Sequence, residues 1–318
     1  MNISFIEFAQ SNAQHVEAIV GLWTTACGPT LAISPRLVSY NWQPMPDLAQ
    51  AGVLAWQAGE PIGFVLASTL KNQPATASPE QGWIDAIAVL PEEQNRGVGK
   101  ALLAWAEGWL RDRGCAMVTL GGSLRPYVPG LPVELEQLSC FEHYGFINRG
   151  TVWDVAANLA RYERSRSVRE VAGAVRPAQP GQEQALSAFL QREFPGRWRY
   201  EFERFVQNQE RLSDFMLLWT ERGVDGFCRL TFEDSARPIE RFYPYELPRP
   251  WGQLGPIGVS QDQRGHGFGA ALLDASLRRL HNNGINGCII DWTTIVDFYA
   301  KFGFTPHREY IRMSKSIA

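Results

Sequence analysis

Apolar residues gather in short runs bounded by glycine, proline or charge. Gly52–Trp56 and Ile62–Ser68 are two such runs, separated by Ala-Gly-Glu-Pro, and the pair predicts a β-hairpin. Trp83–Leu90 predicts a third strand. From Gly97 to Arg113 the period lengthens, and Ala101, Leu102, Trp105, Trp109 and Leu110 form the inner stripe of a helix that Gly114 ends. Cys115–Leu120 then reads as a strand, Val133–His143 as a second helix and Thr151–Ala156 as a closing strand. Ile3–Phe8 is the expected opening strand, ahead of a helix around Ala13–Trp23.

The same order of elements returns further on. Ser213–Thr220 and Val224–Thr231 make a hairpin and Leu254–Ser260 a third strand. Gly267–Asn282 is a helix, Gly287–Asp291 a strand, Asp297–Phe302 a short helix, and a last strand lies within Arg308–Lys315. The segments Val89–Cys115 and Val259–Ile285 align without a gap at an offset of 170 residues, so that Gly97 meets Gly267, Gly99 meets Gly269 and Gly114 meets Gly284. A period of half the chain is too long for a solenoid and reads as two copies of one domain. The boundary is placed at 165/166, giving domains 1–165 and 166–318. The linker falls near Tyr162–Ser167 in the charged stretch Asn158–Arg169, and Val168–Val175 is a candidate first strand of copy two. Strands alternate with helices only in the second half of each copy. An α/β fold of the α+β kind is expected, with a mixed sheet that is antiparallel early and locally parallel across the helix.

Composition narrows the function. Of 318 residues, 45% are apolar and 20% charged, with a net charge of -3, as in a globular chain. That balance argues against nucleic-acid binding by bulk electrostatics, and no apolar run approaches a membrane span. The N-terminus lacks a secretory pattern. Five scattered cysteines without a CxxC suggest reduced thiols in a cytoplasmic protein, and five histidines without an HxH or HExxH pair predict no metal site.

The repeat carries its own candidate chemistry. Gln94-Asn95-Arg96-Gly97-Val98-Gly99 and Arg264-Gly265-His266-Gly267-Phe268-Gly269 each follow a strand and open a helix. Glycine there permits positive φ and close approach of a ligand, and free N–H groups at a helix N-terminus suit an anion such as a pyrophosphate. A Walker A loop is excluded because Ala101 stands where a hydroxyl residue is needed. A dinucleotide fingerprint fails on glycine spacing.

The spacing [Gln/Arg]-x-x-Gly-x-[Gly/Ala] resembles motif A of the GNAT superfamily of N-acetyltransferases. The endings Phe141-Glu142-His143-Tyr144-Gly145-Phe146 and Tyr299-Ala300-Lys301-Phe302-Gly303-Phe304 are similar to the family's Tyr-x-x-x-Gly-Phe. The resemblance covers both halves, so the chain looks like a tandem GNAT with a layout similar to mycothiol synthase. It implies acetyl-CoA or another acyl-CoA as cofactor and no metal. The pyrophosphate would lie on Arg96, Gly97, Val98, Gly99 and Lys100, and in copy two on Gly265, His266, Gly267, Phe268, Gly269 and Ala270. Gln94 and Arg264 hold the first motif position. Ile87 and Val89, and Ile257 and Val259, would pair with the pantetheine arm beside a strand bulge. The N–H of Val89 or Val259 would face the thioester carbonyl.

The family's catalytic positions divide between the copies. Tyr299 stands where a GNAT tyrosine protonates the departing thiolate, whereas copy one has Phe141 there, and Tyr144 is expected on another helix face. The carboxylate expected to lead to the base is Asp85 in copy one, where copy two has Gly255; Glu233 and Glu240 are further candidates. On the tyrosine, copy two is the expected catalyst, and copy one is left to bind CoA, to act by itself or to serve as scaffold. An insertion in copy one, Gly121–Pro132, contains three glycines and three prolines and reads as an ordered loop, with Arg125 and Tyr127 offered to an anionic acceptor. Aromatic stretches at Trp23–Trp42 and Phe194–Phe205 read as core sooner than as acceptor cleft.

The implied function is acetyl transfer to the amine of a small molecule by direct attack in a ternary complex, in a monomer or homodimer. A non-catalytic acyl-CoA sensor, aminoacyl or fatty-acyl transfer, and a protein or peptide acceptor stay open at this point.

Overall fold

The computed structural model describes residues 3–318. Its first elements are β1 (Ser4–Glu7), α1 (Ala13–Cys27), α2 (Pro35–Asn41), β2 (Leu48–Gln57), β3 (Glu60–Leu70), β4 (Gln81–Val89), α3 (Val98–Arg111), β5 (Met117–Leu120), β6 (Leu131–Pro132), α4 (Leu138–His143) and β7 (Ile147–Asn158). They are followed by β8 (Ala174–Pro177), α5 (Glu183–Glu193), α6 (Arg197–Gln207), β9 (Phe215–Thr220), β10 (Gly223–Phe232), β11 (Trp251–Val259), α7 (Phe268–Asn282), β12 (Gly287–Thr293), α8 (Val296–Ala300) and β13 (Thr305–Ser316). The expected elements are present with bounds shifted by a few residues. Two segments differ more. The helix expected over Val133–His143 is reduced to a single turn at Val133–Leu135 followed by α4, because Pro132 ends the paired strand β6 and Glu136 adopts a left-handed conformation. Copy two opens with β8 at Ala174, and residues 168–173 form no strand.

Two compact units result, residues 1–152 with 308–318, and residues 153–307. They do not divide at residue 165. β7 passes from unit 1 into unit 2, where Trp153–Asn158 pair antiparallel with β12. β13 returns the chain to unit 1, where Ser314–Ser316 pair antiparallel with β5 and Tyr310–Ile311 with β6. Each unit is thus completed by the last strand of the other copy.

Within unit 1, β1 to β4 are antiparallel in sequence order. β4 then pairs parallel with β5 over Gln81–Ile84 only. α3 packs its Val98, Leu102, Leu103, Ala106 and Leu110 stripe on one face of this sheet, against Val65, Ile84 and Val118. The burial of each such side chain contributes roughly 1.5–3 kcal/mol. Unit 2 repeats the plan. β8 to β11 are antiparallel, and β11 pairs parallel with β12 over Trp251–Gln253. α7 lies on this sheet through Leu272, Leu273, Leu277 and Leu280.

Candidate active site

The site of unit 1 begins where β4 and β5 part. Opposite β3 the register slips at Asp85: Leu66 faces Ala86 and Ala67 faces Ile84, so Asp85 is the extra residue of a bulge. β5 has left β4 by this point. Leu90 N–H donates to Ile62 O at 3.0 Å, and Val89 faces Gly63. This alternation turns the N–H and C=O of Val89 and Ile87 away from β3 and toward the cleft.

The glycine-rich turn closes the far end of the cleft. Asn95 and Gly97 both have positive φ, 58° and 86°, and Gly97 is the residue before α3. The first helical bond runs from Ala101 N–H to Gly97 O at 3.0 Å, which leaves the N–H groups of Val98, Gly99 and Lys100 with no intrahelical acceptor. No side chain caps them. Gln94 pins the turn by donating from Nε2 to Val89 O at 3.1 Å. A Cβ placed on Gly97 would meet nothing within 4 Å, so the cradle is open. Arg96 and Lys100 are exposed beside it, and Arg96 pairs with Glu93 at 3.2 Å.

Between turn and bulge lies a cavity of about 220 Å³. Ile87, Val89, Gln94, Gly97 and Gly99 line its cradle side; Trp23, Cys27, Val128, Leu131 and Leu135 line the end near Asp85. The insertion walls this end: Gly121 N–H donates to Ile84 O at 2.8 Å, and Gly130 lies against Ile311, where a Cβ would fall 2.6 Å from its carbonyl oxygen.

Asp85 is 3% exposed. Burial pushes its carboxyl up to about 7, against the Ser123 and Ser68 hydroxyls, which favour the ionised form. Ser68 Oγ donates to Oδ1 at 2.9 Å, and Oδ2 has no well-aligned donor. Cys27, in the same cleft, is pushed up to about 12 by burial and by Glu134, and so stays a thiol.

Several expected residues sit elsewhere. Arg125 and Tyr127 are not among the cleft-lining residues. Arg125 is buried, lies over the Tyr40 ring and donates to the carbonyls of Tyr40 (2.6 Å) and Gln43 (3.1 Å), which ties the insertion to the end of α2. Tyr127 is 2% exposed behind Trp23, and burial together with the Asp85 charge raises its phenol. Tyr144, expected on another face, lines the cleft together with Phe141 and Cys140. Residues three apart share a helix face, and that spacing was the signal available in the sequence.

Unit 2 keeps the frame and changes the contents. Gly265 and Gly267 take positive φ as Asn95 and Gly97 do, and Ala271 N–H bonds Gly267 O. Ser260 N–H donates to Asp225 O, which turns Val259 and Ile257 outward in the same way. At the place of Asp85 stands Gly255, whose carbonyl accepts from the buried Arg237 at 3.1 Å. Arg237 also holds Gln253 Oε1 at 2.7 Å, and Gln253 donates to Asp291 at 2.6 Å. Phe194 and Trp198 lie over Gly258, where a Cβ would fall 2.6 Å from the Phe194 ring. Tyr299 is 4% exposed in the core with Phe302 and Phe304, and its phenol is raised by burial, then by Cys228 and Asp291. Glu233 accepts from Trp251 N–H at 3.1 Å.

A parallel strand pair that parts at a bulge and a glycine turn opening the next helix define an acetyltransferase domain, built twice. The chain belongs to the acetyltransferase (GNAT) family, whose sequence model matches residues 17–124 and 183–304. It is 34% identical over 98 residues to an aminoglycoside N(6')-acetyltransferase type 1 of Stenotrophomonas maltophilia, which is 30% of this chain and 59% of that one. It is 37% identical over 60 residues to a mycothiol acetyltransferase of Catenulispora acidiphila, 18% of this chain and 19% of the relative. In fold it resembles the glucosamine N-acetyltransferase region of a fungal multi-domain beta-N-acetylglucosaminidase, with a TM-score of 0.87 at 20% identity over 98% of this chain and 38% of that one. It also resembles a tandem GNAT protein from the clavulanic acid biosynthesis pathway, with a TM-score of 0.72 at 14% identity over 100% and 99% of the two chains. Among the described residues no helix is long and apolar enough to cross a membrane.

Proposed function

We propose that the chain is an acetyl-CoA-dependent N-acetyltransferase that modifies a small primary amine in the cleft of unit 1. The observation that carries this reading is Asp85, a buried carboxylate raised to about 7, set at the bulge of a cleft whose other end is an open anion cradle. Acetyl-CoA supplies an activated acyl group. The N–H groups of Val98, Gly99 and Lys100 receive its pyrophosphate, and Ile87 and Val89 offer main-chain partners to its arm. Val89 N–H is turned to stabilise a carbonyl oxygen at the head of the cleft. Asp85 takes a proton from the acceptor ammonium, for which a value near neutrality is well matched. Tyr144, on the cleft, replaces Phe141 as the proton donor to sulfur.

Unit 1 is preferred over unit 2 for an electrostatic reason. An ammonium approaching the position of Asp85 meets a carboxylate, whereas at Gly255 it meets the Arg237 guanidinium. The acceptor end is lined mainly by Trp23, Cys27, Val128, Leu131 and Leu135, which suits a compact amine with an apolar body. The name of the Stenotrophomonas relative favours a second reading, an amino sugar.

Release of CoA thiol from acetyl-CoA, measured with arylalkylamines, amino sugars and aminoglycosides as acceptors, tests the proposal. Turnover with one class and loss of it in Asp85→Asn are expected. Tight acetyl-CoA binding without turnover on any amine would point to the non-catalytic sensor instead.

A further inference from the structure

The stretch expected to be a plain linker is seated on unit 2, against α7, the residue after α8 and the glycine turn. Tyr162 Oη donates to Asp274 Oδ1 on α7 at 3.0 Å. Ser165 Oγ donates to Lys301 O, just past the end of α8, at 2.6 Å. Val168 and Val171 pack on the core cluster that contains Phe268, Tyr299 and Phe302. Val171 Cγ1 and Arg169 Cβ lie 3.5 and 3.8 Å from where a Cβ on Gly267 would be, whereas nothing lies within 4 Å of the same point on Gly97. Gly97 is accordingly exposed and Gly267 half-buried. The segment runs from α7 past the end of α8 to the glycine turn. Its inward residues are 162, 165, 168 and 171, every third one, while Arg164, Arg166 and Arg169 point to solvent. The chain turns at Ser165, where Val168 N–H donates to Ser165 O at 3.1 Å, and this brings every third residue to the domain.

We propose that residues 165–171 are a resident occupant of unit 2's acyl-CoA groove, so that the chain takes up one acyl-CoA, in unit 1. The inference rests on the acetyl-CoA reading above. The two cradles share two glycines and the first helical bond, and unit 1 has Arg96 and Lys100 where unit 2 has His266 and Ala270; the chain's own Val171 and Arg169 lie beside Gly267 alone. Ser165 and Tyr162 fasten the segment by hydrogen bonds, and the valines hide apolar surface that an empty groove would leave to water.

Titration calorimetry of the full chain with acetyl-CoA is expected to give one equivalent. The variant S165G/V168S/R169G/V171S, which loosens the segment, is expected to give two. Gly97→Asp with Gly99→Glu, placing acid in the unit 1 cradle, is expected to bind none, and to regain one equivalent when combined with the loosened segment. Two equivalents in the wild type, or one retained in Gly97→Asp/Gly99→Glu, would overturn the proposal and leave the acetyl-CoA reading standing. One equivalent in both the wild type and the loosened variant would also overturn it, since the segment would not then be what fills the groove. No binding in any of them removes the acetyl-CoA reading as well. Trypsin gives a check without substitution. Cleavage after Arg166 and Arg169 should be slow and unaffected by saturating acetyl-CoA; acceleration by the ligand would mean that it displaces the segment, against the proposal.

Discussion

Replacing Asp85 by asparagine should cost activity and add stability, and the two effects share one cause. Burial raises the carboxyl from its ordinary 3.8 to about 7 in the folded chain. The native state therefore binds this proton more tightly than the unfolded state. The associated stability is fully present below about pH 4 and is lost as pH rises to about 7. Three pH units at 1.36 kcal/mol each put the cost of the ionised group at about 4 kcal/mol at pH 8. Asparagine fits the same space and keeps the Ser68 bond at Oδ1, but its amide N–H₂ needs an acceptor, so a net gain on the order of 2 kcal/mol is expected at pH 8. For a unit of this size that is roughly 4–8 °C in Tm. Thermal unfolding of both proteins at pH 4 and pH 8, followed by circular dichroism, measures it; at the acid end the ionisation cost is absent and the amide's cost remains, so the variant should there be the less stable by about 2 kcal/mol. In parallel, kcat/KM of the wild type should rise with pH through about 7, and Asp85→Asn should lose about 10²- to 10³-fold and that dependence with it. A stability difference that does not change between pH 4 and pH 8 would refute the buried-carboxylate argument, whatever the kinetics show.

Other expectations follow from the same cleft. Gly97→Val meets no neighbour but forces a β-branched residue to a φ of 86°, which costs roughly 1–2 kcal/mol, and it should weaken acetyl-CoA at least tenfold by calorimetry; unchanged affinity would show that the cradle is not used. Tyr144→Phe should lower kcat about tenfold with little change in acetyl-CoA Kd, while Tyr299→Phe changes neither. The reverse result would move the chemistry to unit 2. Among the cleft thiols, exposed Cys140 should be alkylated by iodoacetamide at pH 8 well before Cys27, whose thiol is held at about 12, and acetyl-CoA should slow the labelling. Equal labelling of the two, read by peptide mass, would contradict the burial of Cys27.

Much of this architecture is legible in the chain because glycine is hard to replace where φ is positive. Gly97, Gly267, Gly114 and Gly284 all take positive φ, and their constant spacing exposed the repeat and the cradle together. Asp85 was legible as a carboxylate four residues before Val89, and the structure sets it at the bulge of β4. The closing strands were not. Thr151–Ala156 and Arg308–Lys315 both alternate, and a period-two pattern says which face is buried without saying which sheet supplies the partner. Arg125 was misleading because an arginine in a glycine- and proline-rich loop suggests a ligand, whereas its donors satisfy the Tyr40 carbonyl in the last turn of α2 and the Gln43 carbonyl just beyond it. The seat of residues 165–171 was hidden by charge: the arginines that mark a linker alternate with residues that face inward at every third position, a period outside both the helical and the strand template.

The two copies diverge most where chemistry would occur and least where the cradle is built. The turns superpose in their φ signs, and the helices begin with the same hydrogen bond. A cradle without an acceptor pocket still has a use, since its unbonded N–H groups must be satisfied by water, ligand or chain. At the bulge the pressures differ. A carboxylate buried at Asp85 weakens the fold when ionised, which fits the proton-handling role proposed for it. Unit 2 has no such buried carboxylate at that place. Where unit 1 has Asp85, unit 2 has Gly255 and a guanidinium, Arg237, bonded to Thr231, Gln253 and the Gly255 carbonyl, and Phe194 and Trp198 pack against Gly258. Glu201, which burial alone would raise, is held low by Arg197, Arg241 and Arg237, as expected of a region organised for ion pairing instead of proton transfer. The duplicated fold thus carries two differently furnished clefts, one with a buried carboxylate at the bulge of unit 1 and one with a bonded guanidinium at the same place in unit 2.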